Sequence, residues 1–168
     1  MSDLRIGFGT DIHRLAAGRP LIIGGVAIES DLGADGHSDA DVLLHAITDA
    51  LLGSLALGDI GTHFSNSDPR WSGADSMVFL RHAAGLLAEK GYGVVNIDSV
   101  VDLETPKLRP FILQIRNNIA SALGVEPERV SVKAKTGEAV GPVGERQALT
   151  AEAVVLVKAW GLASSHPA

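Results

Sequence analysis

Four runs with strand character, at residues 4–13, 94–103, 129–136 and 149–157, are interspersed with three stretches that read as helices from apolar spacing or from their start and stop residues. This interleaving constrains the chain more than any other feature. A strand buries one face and a helix one stripe, so the pattern predicts one mixed sheet covered by helices. Helices on one side only would leave a second apolar sheet face, and subunit association is the expected cover. The 168 residues, 46% of them hydrophobic, match one ordinary domain with a sizeable core. We expect that domain to span residues 1–158, followed by a frayed tail at 159–168.

The first strand should run from Leu4 to His13, followed by a short hairpin over Pro20–Ile28 that turns at Gly24-Gly25. Ser38, with Asp41 three residues on, predicts the cap of a helix whose apolar positions are Leu44, Ile47, Leu51, Leu52 and Leu55, ending near Leu57-Gly58. Asp41, His45 and Asp49 share one face of it. A polar, turn-rich loop follows from Asp59 to Gly73, the kind of segment that often carries function. A second helix over Asp75–Lys90 should stop at Gly91, and a third over Pro110–Leu123 at Gly124.

Asp11 and His13 lie two apart in an expected strand and so point to the same side, where His45 could join them on one divalent ion. One carboxylate and two imidazoles suit zinc, and three ligands leave a position for water or substrate. The plainer alternative is a turn aspartate beside two hydrogen-bonded histidines. Asp41 or Asp49, one turn either side of His45, could orient its ring. His37 and Ser38, at the expected helix start, could hold an anion with the free N–H groups. Thr136 and Glu138 should share one side of a strand, with Lys133 and Lys135 on the other. A carboxylate beside a hydroxyl could hold a harder cation such as magnesium, unless this is only a solvated strand end.

Other classes find no support. The formal charge of −6 and the lack of a Lys/Arg cluster argue against nucleic acid. There is no cysteine, no G-x-S-x-G elbow, no Walker-type loop and no Rossmann turn. No apolar signal region or run of membrane-spanning length is visible, so a cytoplasmic protein without membrane contact is expected. Taken alone, the residues describe a metal-dependent enzyme whose substrate is phosphorylated.

Six segments add a resemblance: Gly9-Thr-Asp-Ile-His13, Ile23-Gly-Gly-Val26, Gly36-His-Ser-Asp-Ala-Asp41, His45-Ala-Ile-Thr-Asp-Ala-Leu-Leu-Gly53, Leu57-Gly-Asp-Ile-Gly61 and Pro106-Lys107. In this order the chain resembles the 2-C-methyl-D-erythritol 2,4-cyclodiphosphate synthase family over about residues 5–157. The resemblance implies an α+β domain with a four-stranded mixed sheet and helices on one face, assembled as a homotrimer with active sites between subunits. It implies zinc on Asp11, His13 and His45, one ion per subunit, and magnesium or manganese on Glu138 with the substrate diphosphate. His37 and Thr136 take the catalytic roles of steadying the phosphoryl group. Substrate contacts fall on Asp11, Ile12, His13, His37, Ser38, Asp59, Ile60, Gly61, Phe64, Asp68, Pro106, Lys107, Lys135, Thr136 and Glu138. The implied reaction cyclises 4-diphosphocytidyl-2-C-methyl-D-erythritol 2-phosphate and releases CMP, a step of the non-mevalonate isoprenoid pathway. A zinc-dependent phosphohydrolase of a diphosphate is the rival enzyme.

The chain also departs from the family pattern. Asn66 stands where a carboxylate is common, Lys135 where a threonine is common, and Pro142 and Glu145 where an aromatic residue and an arginine are often found.

Overall fold

Strand β1, Leu4–Ala17, alternates between two unlike faces: Gly7 and Gly9 are buried, whereas Ile6 and Phe8 are 71% and 60% exposed. The computed structural model describes residues 3–65 and 67–160; Asn66 and most of the expected tail, residues 161–168, lie outside them. The remaining strands are β2 (Leu21–Ile23), β3 (Val26–Ile28), β4 (Leu32–Asp35), β5 (Tyr92–Asp102), β6 (Val130–Lys135) and β7 (Ala148–Ala159). The main sheet has five strands rather than the expected four, in the order β4-β1-β7-β5-β6, and only the β5–β6 pair is parallel. The added strand is β4, which pairs with a four-residue extension of β1 from Arg14↔Asp35 to Ala17↔Leu32. The expected hairpin is present as the two-stranded sheet of β2 and β3.

The helices are α1 (Val42–Ser54), α2 (Ile60–His63), α3 (Met77–Glu89), α4 (Ile112–Leu123) and α5 (Gly141–Gly144). Helix α1 lies against β1 and β7 and is buried nearly all round, from Val42 through Leu52. It approaches the sheet this closely because β1 offers it glycine: a Cβ on Gly7 would lie 1.7 Å from the Ala50 carbonyl oxygen, and one on Gly9 would lie 2.2 Å from that of Ala46. Gly124, in the left-handed region at φ 66°, closes α4 as expected.

Several boundaries differ from expectation. Asp41, not Ser38, caps α1: its carboxylate accepts the Leu44 N–H at 3.1 Å, and the turn is made by Ala40 at φ 56°. The helix stops at Ser54, short of Leu57-Gly58. Strand β6 ends at Lys135, so Thr136 and Glu138 follow the strand rather than alternate along it, with Glu138 at φ 51°. Ala159, placed in the tail by the sequence reading, is the last residue of β7.

Asp41 also accepts the Gly25 N–H at 2.7 Å and so ties α1 to the hairpin. Burial raises its carboxyl to about 6, against the N–H groups of Gly25, Gly24 and Leu44, which pull it down. A folded value above the ordinary 3.8 means that charging the buried carboxyl costs stability, so the advantage of the neutral form is full below about pH 4 and is lost as pH rises through about 6. The size is about 3 kcal/mol. Thermal melts from pH 4 to 7 should show a falling contribution in the wild type that is absent from Asp41→Asn; parallel profiles would remove Asp41 as its source.

Candidate metal centre and active site

The pleat of β1 turns Asp11 and His13 toward α1, and the close approach at Gly9 brings His45 opposite them. Asp11 Oδ2 lies 2.9 Å from His13 Nε2 and 2.9 Å from His45 Nδ1, and the two nitrogens are 3.2 Å apart. Among the described residues these three form a cluster able to hold a metal ion. The donor set fits zinc. Ligands about 2.0 Å from a tetrahedral ion stand about 3.3 Å from one another, close to the spacing of this triangle. Burial works to raise the Asp11 carboxyl, but hydrogen bonds and positive charge from His13 and His45 outweigh it and hold it at about 2. Burial lowers His13, yet Asp11 and the Asp35 carbonyl raise it above its ordinary value.

The ring of His45 is held from behind by neither of the carboxylates suggested by helical spacing. Asp41 is occupied as a cap, and Asp49 accepts the Ile60 N–H at 2.7 Å, thereby fixing the start of α2. Instead, His45 Nε2 meets Ser76 Oγ at 2.8 Å and Ser38 Oγ at 3.2 Å, and Ser76 donates to Asp39. The sequence reading missed Ser76. A serine opening a helix reads as a cap, and nothing in its position points to a residue 31 places earlier.

The triangle opens into a cavity of about 230 Å³ lined by Asp11, His13, His37, Ser38, His45 and Ile60, with an aromatic wall of Phe64, Trp71 and Phe79. Phe64 stacks on Phe79 with centroids 4.4 Å apart and meets Trp71 edge-on at 5.0 Å. Trp71 and Phe79 were also missed; helical spacing alone assigns Phe79 to a core. Asp59 caps α2 through Thr62, and Asp68 caps a turn and grips Arg70. Gly61 is exposed on α2. Ile12 points away from the cavity, 61% exposed on the opposite sheet face.

The other expected residues gather elsewhere. Lys107, Lys135, Thr136 and Glu138 line a second cavity of about 530 Å³, together with Leu103, Leu108, Arg109 and Ala134. Thr136 donates to the Glu138 carboxylate, and the Leu103 N–H bonds the Lys135 carbonyl at 3.0 Å. Pro106 follows a cis peptide in the same loop. Arg146, next to the altered Glu145, is paired with Asp31.

Fold and site together define a small α+β protein with an Asp-His-His cluster, able to hold a metal ion, between a sheet and its central helix. The chain belongs to the YgbB family, whose model matches residues 4–158. A relative from Solibacter usitatus (strain Ellin6076), a 2-C-methyl-D-erythritol 2,4-cyclodiphosphate synthase, is 56% identical over 158 residues, 94% of this chain and 99% of that protein. A synthase of the same name from Symbiobacterium thermophilum is 56% identical over 152 residues, 90% of this chain and 97% of its own. The solved IspF of Plasmodium falciparum in complex with CDP has a TM-score of 0.83 at 34% identity, covering 95% of this chain and 98% of that one.

Proposed function

We propose that this chain is a cyclising phosphorus-oxygen lyase that converts 4-diphosphocytidyl-2-C-methyl-D-erythritol 2-phosphate to 2-C-methyl-D-erythritol 2,4-cyclodiphosphate and CMP, within the non-mevalonate isoprenoid pathway. The observation that carries this reading is the Asp11–His13–His45 triangle opening into a cavity, in a chain 56% identical to a synthase of that name over nearly its whole length. An oxygen of the substrate's 2-phosphate bonds to the phosphorus nearer the erythritol, and the bond from that phosphorus to CMP breaks. An ionised phosphate needs no strong base, so alignment and charge neutralisation carry the rate. Bound zinc supplies Lewis-acid polarisation and a template for phosphate oxygens. His37 and Ser38 bind the methylerythritol phosphate end, and Ile60 and Phe64 close that cavity. Asp59 and Gly61 lie on the segment that meets the substrate hydroxyls.

Glu138 holds magnesium or manganese, Thr136 steadies the phosphoryl group, and the loop around Pro106 and Lys107 holds the cytosine. These residues share no cavity with the zinc ligands, which supports a site completed by a neighbouring subunit. The outer sheet face supports the same reading: Ile6, Phe8, Ile12 and Val154 lie exposed on adjoining strands β1 and β7, an apolar patch suited to a homotrimer. No helix among the described residues is long and apolar enough to cross a membrane, which accords with work in the cytoplasm.

Phosphorus NMR of the protein with substrate, zinc and magnesium tests the reaction. The coupled resonances of a cyclic diphosphate together with CMP are expected; open-chain phosphates would assign the chain to the hydrolases instead. Phe8→Glu tests the assembly by placing a charge in the apolar patch. By light scattering it should be monomeric, with zinc retained and turnover reduced at least about a hundredfold. A fully active trimeric variant would remove this face from the interface.

A further inference from the structure

We propose that Ser76, locked by Asp39, is the positioning residue that fixes the His45 ring and its tautomer for metal binding. This rests on the zinc reading of the Asp11–His13–His45 centre. A count of protons carries the inference. The single hydroxyl proton of Ser76 is committed to Asp39 Oδ1, and the Ser76 backbone N–H holds the other oxygen of that carboxylate at 3.1 Å. Toward His45 Nε2, 2.8 Å away, Ser76 Oγ can therefore only accept. Nε2 must then carry the ring's N–H. A ligand imidazole is neutral and has one such hydrogen, so with an ion seated between the two side chains Nδ1 would offer it a lone pair, and Nδ1 is the atom that faces Asp11 at 2.9 Å.

A second observation shows that the serine serves the site rather than its helix. Ser76 occupies the cap position of α3, is fully buried, and makes no capping hydrogen bond. Serine at that position ordinarily accepts the N–H two or three residues further on. Here the Val78 amide bonds the Asp75 carbonyl at 3.0 Å and the Phe79 amide bonds the Ser76 carbonyl at 3.1 Å, while the Ser76 hydroxyl turns to His45 and Asp39. Asp39 is itself anchored, accepting the Asp41 N–H at 3.2 Å and donating its own N–H to the Ala74 carbonyl at 3.0 Å.

The test compares Ser76→Thr with Ser76→Val, which have the same shape and differ only in the hydroxyl. Zinc affinity is measured by competition with a chromogenic chelator, and the visible spectrum of the cobalt(II)-loaded protein reports ligand geometry. We expect Val to bind zinc about 10–100-fold more weakly than Thr and to shift the cobalt bands, with Thr close to wild type. Equal affinities and spectra for Thr and Val overturn the proposal. Asp39→Ala frees the serine proton to turn toward Nε2, and its zinc affinity should fall about tenfold with the circular dichroism unchanged. If Val does not fold, this variant decides, and wild-type affinity in it overturns the proposal. Failure of the wild-type protein to take up zinc would instead sink the metal reading on which the proposal stands.

Discussion

Replacing His45 with alanine is expected to remove bound zinc and to lower cyclisation by at least about a thousandfold. Loss of His45 leaves Asp11 and His13, two donors from a single strand, and among the described residues no other His, Cys, Asp or Glu joins their cluster. Lewis-acid stabilisation of a phosphoryl transition state is worth several kcal/mol, and each 1.36 kcal/mol is about a factor of ten in rate. The fold should survive, because His45 is the one residue of the helix from Val42 to Ala46 that is not fully buried. Metal analysis after gel filtration, paired with the phosphorus NMR assay, checks both halves. A variant with full zinc content and full turnover would show that the centre is not the catalytic one.

Gly7→Ala should be the most destabilising single substitution in the sheet, costing more than about 4 kcal/mol, a size that requires a specific mechanism. The mechanism here is backbone against backbone. The new Cβ would sit 1.7 Å from the Ala50 oxygen and 2.8 Å from its carbonyl carbon, so no rotamer change can relieve the clash and α1 must lift from the sheet. Because α1 carries His45, the lift should also weaken zinc binding. Urea unfolding monitored by circular dichroism gives the free energy. A loss below about 1 kcal/mol, within the range of ordinary surface changes, would mean that α1 adjusts freely and that the glycine contact is incidental.

The elements with clear periodicity were legible in the sequence, and those made by tertiary pairing were not. Apolar spacing located α1, and the stop signals Gly91 and Gly124 with Pro110 at a start located α3 and α4. Strand β4 escaped notice because Leu32-Gly-Ala-Asp35 has neither β-branched residues nor alternation; it is a strand because β1 runs on beside it. Ser38 and Asp41 are both good caps three residues apart, and the sequence reading chose the first. The left-handed turn at Ala40 starts the helix after the second and frees the Ser38 hydroxyl for His45. That Asp11, His13 and His45 come together was readable because two of them lie on one strand at a spacing that puts them on the same side. The Ser76–Asp39 support was not, since it arises where the segments 37–39 and 73–76 are bonded together, Gly73 N–H to the His37 carbonyl at 2.8 Å among them.

The two-faced character of β1 has a consequence for how this protein can change over time. Its odd positions from Gly7 to His13 admit the helix and supply two members of the Asp11–His13–His45 cluster, while the even positions Ile6, Phe8 and Ile12 form much of the outer apolar patch. Inserting or deleting one residue among them would exchange the two faces. Phenylalanine would then be driven against the backbone of α1, and the aspartate and histidine would be turned out of the cavity. Drift in this segment is therefore confined to replacement at fixed length.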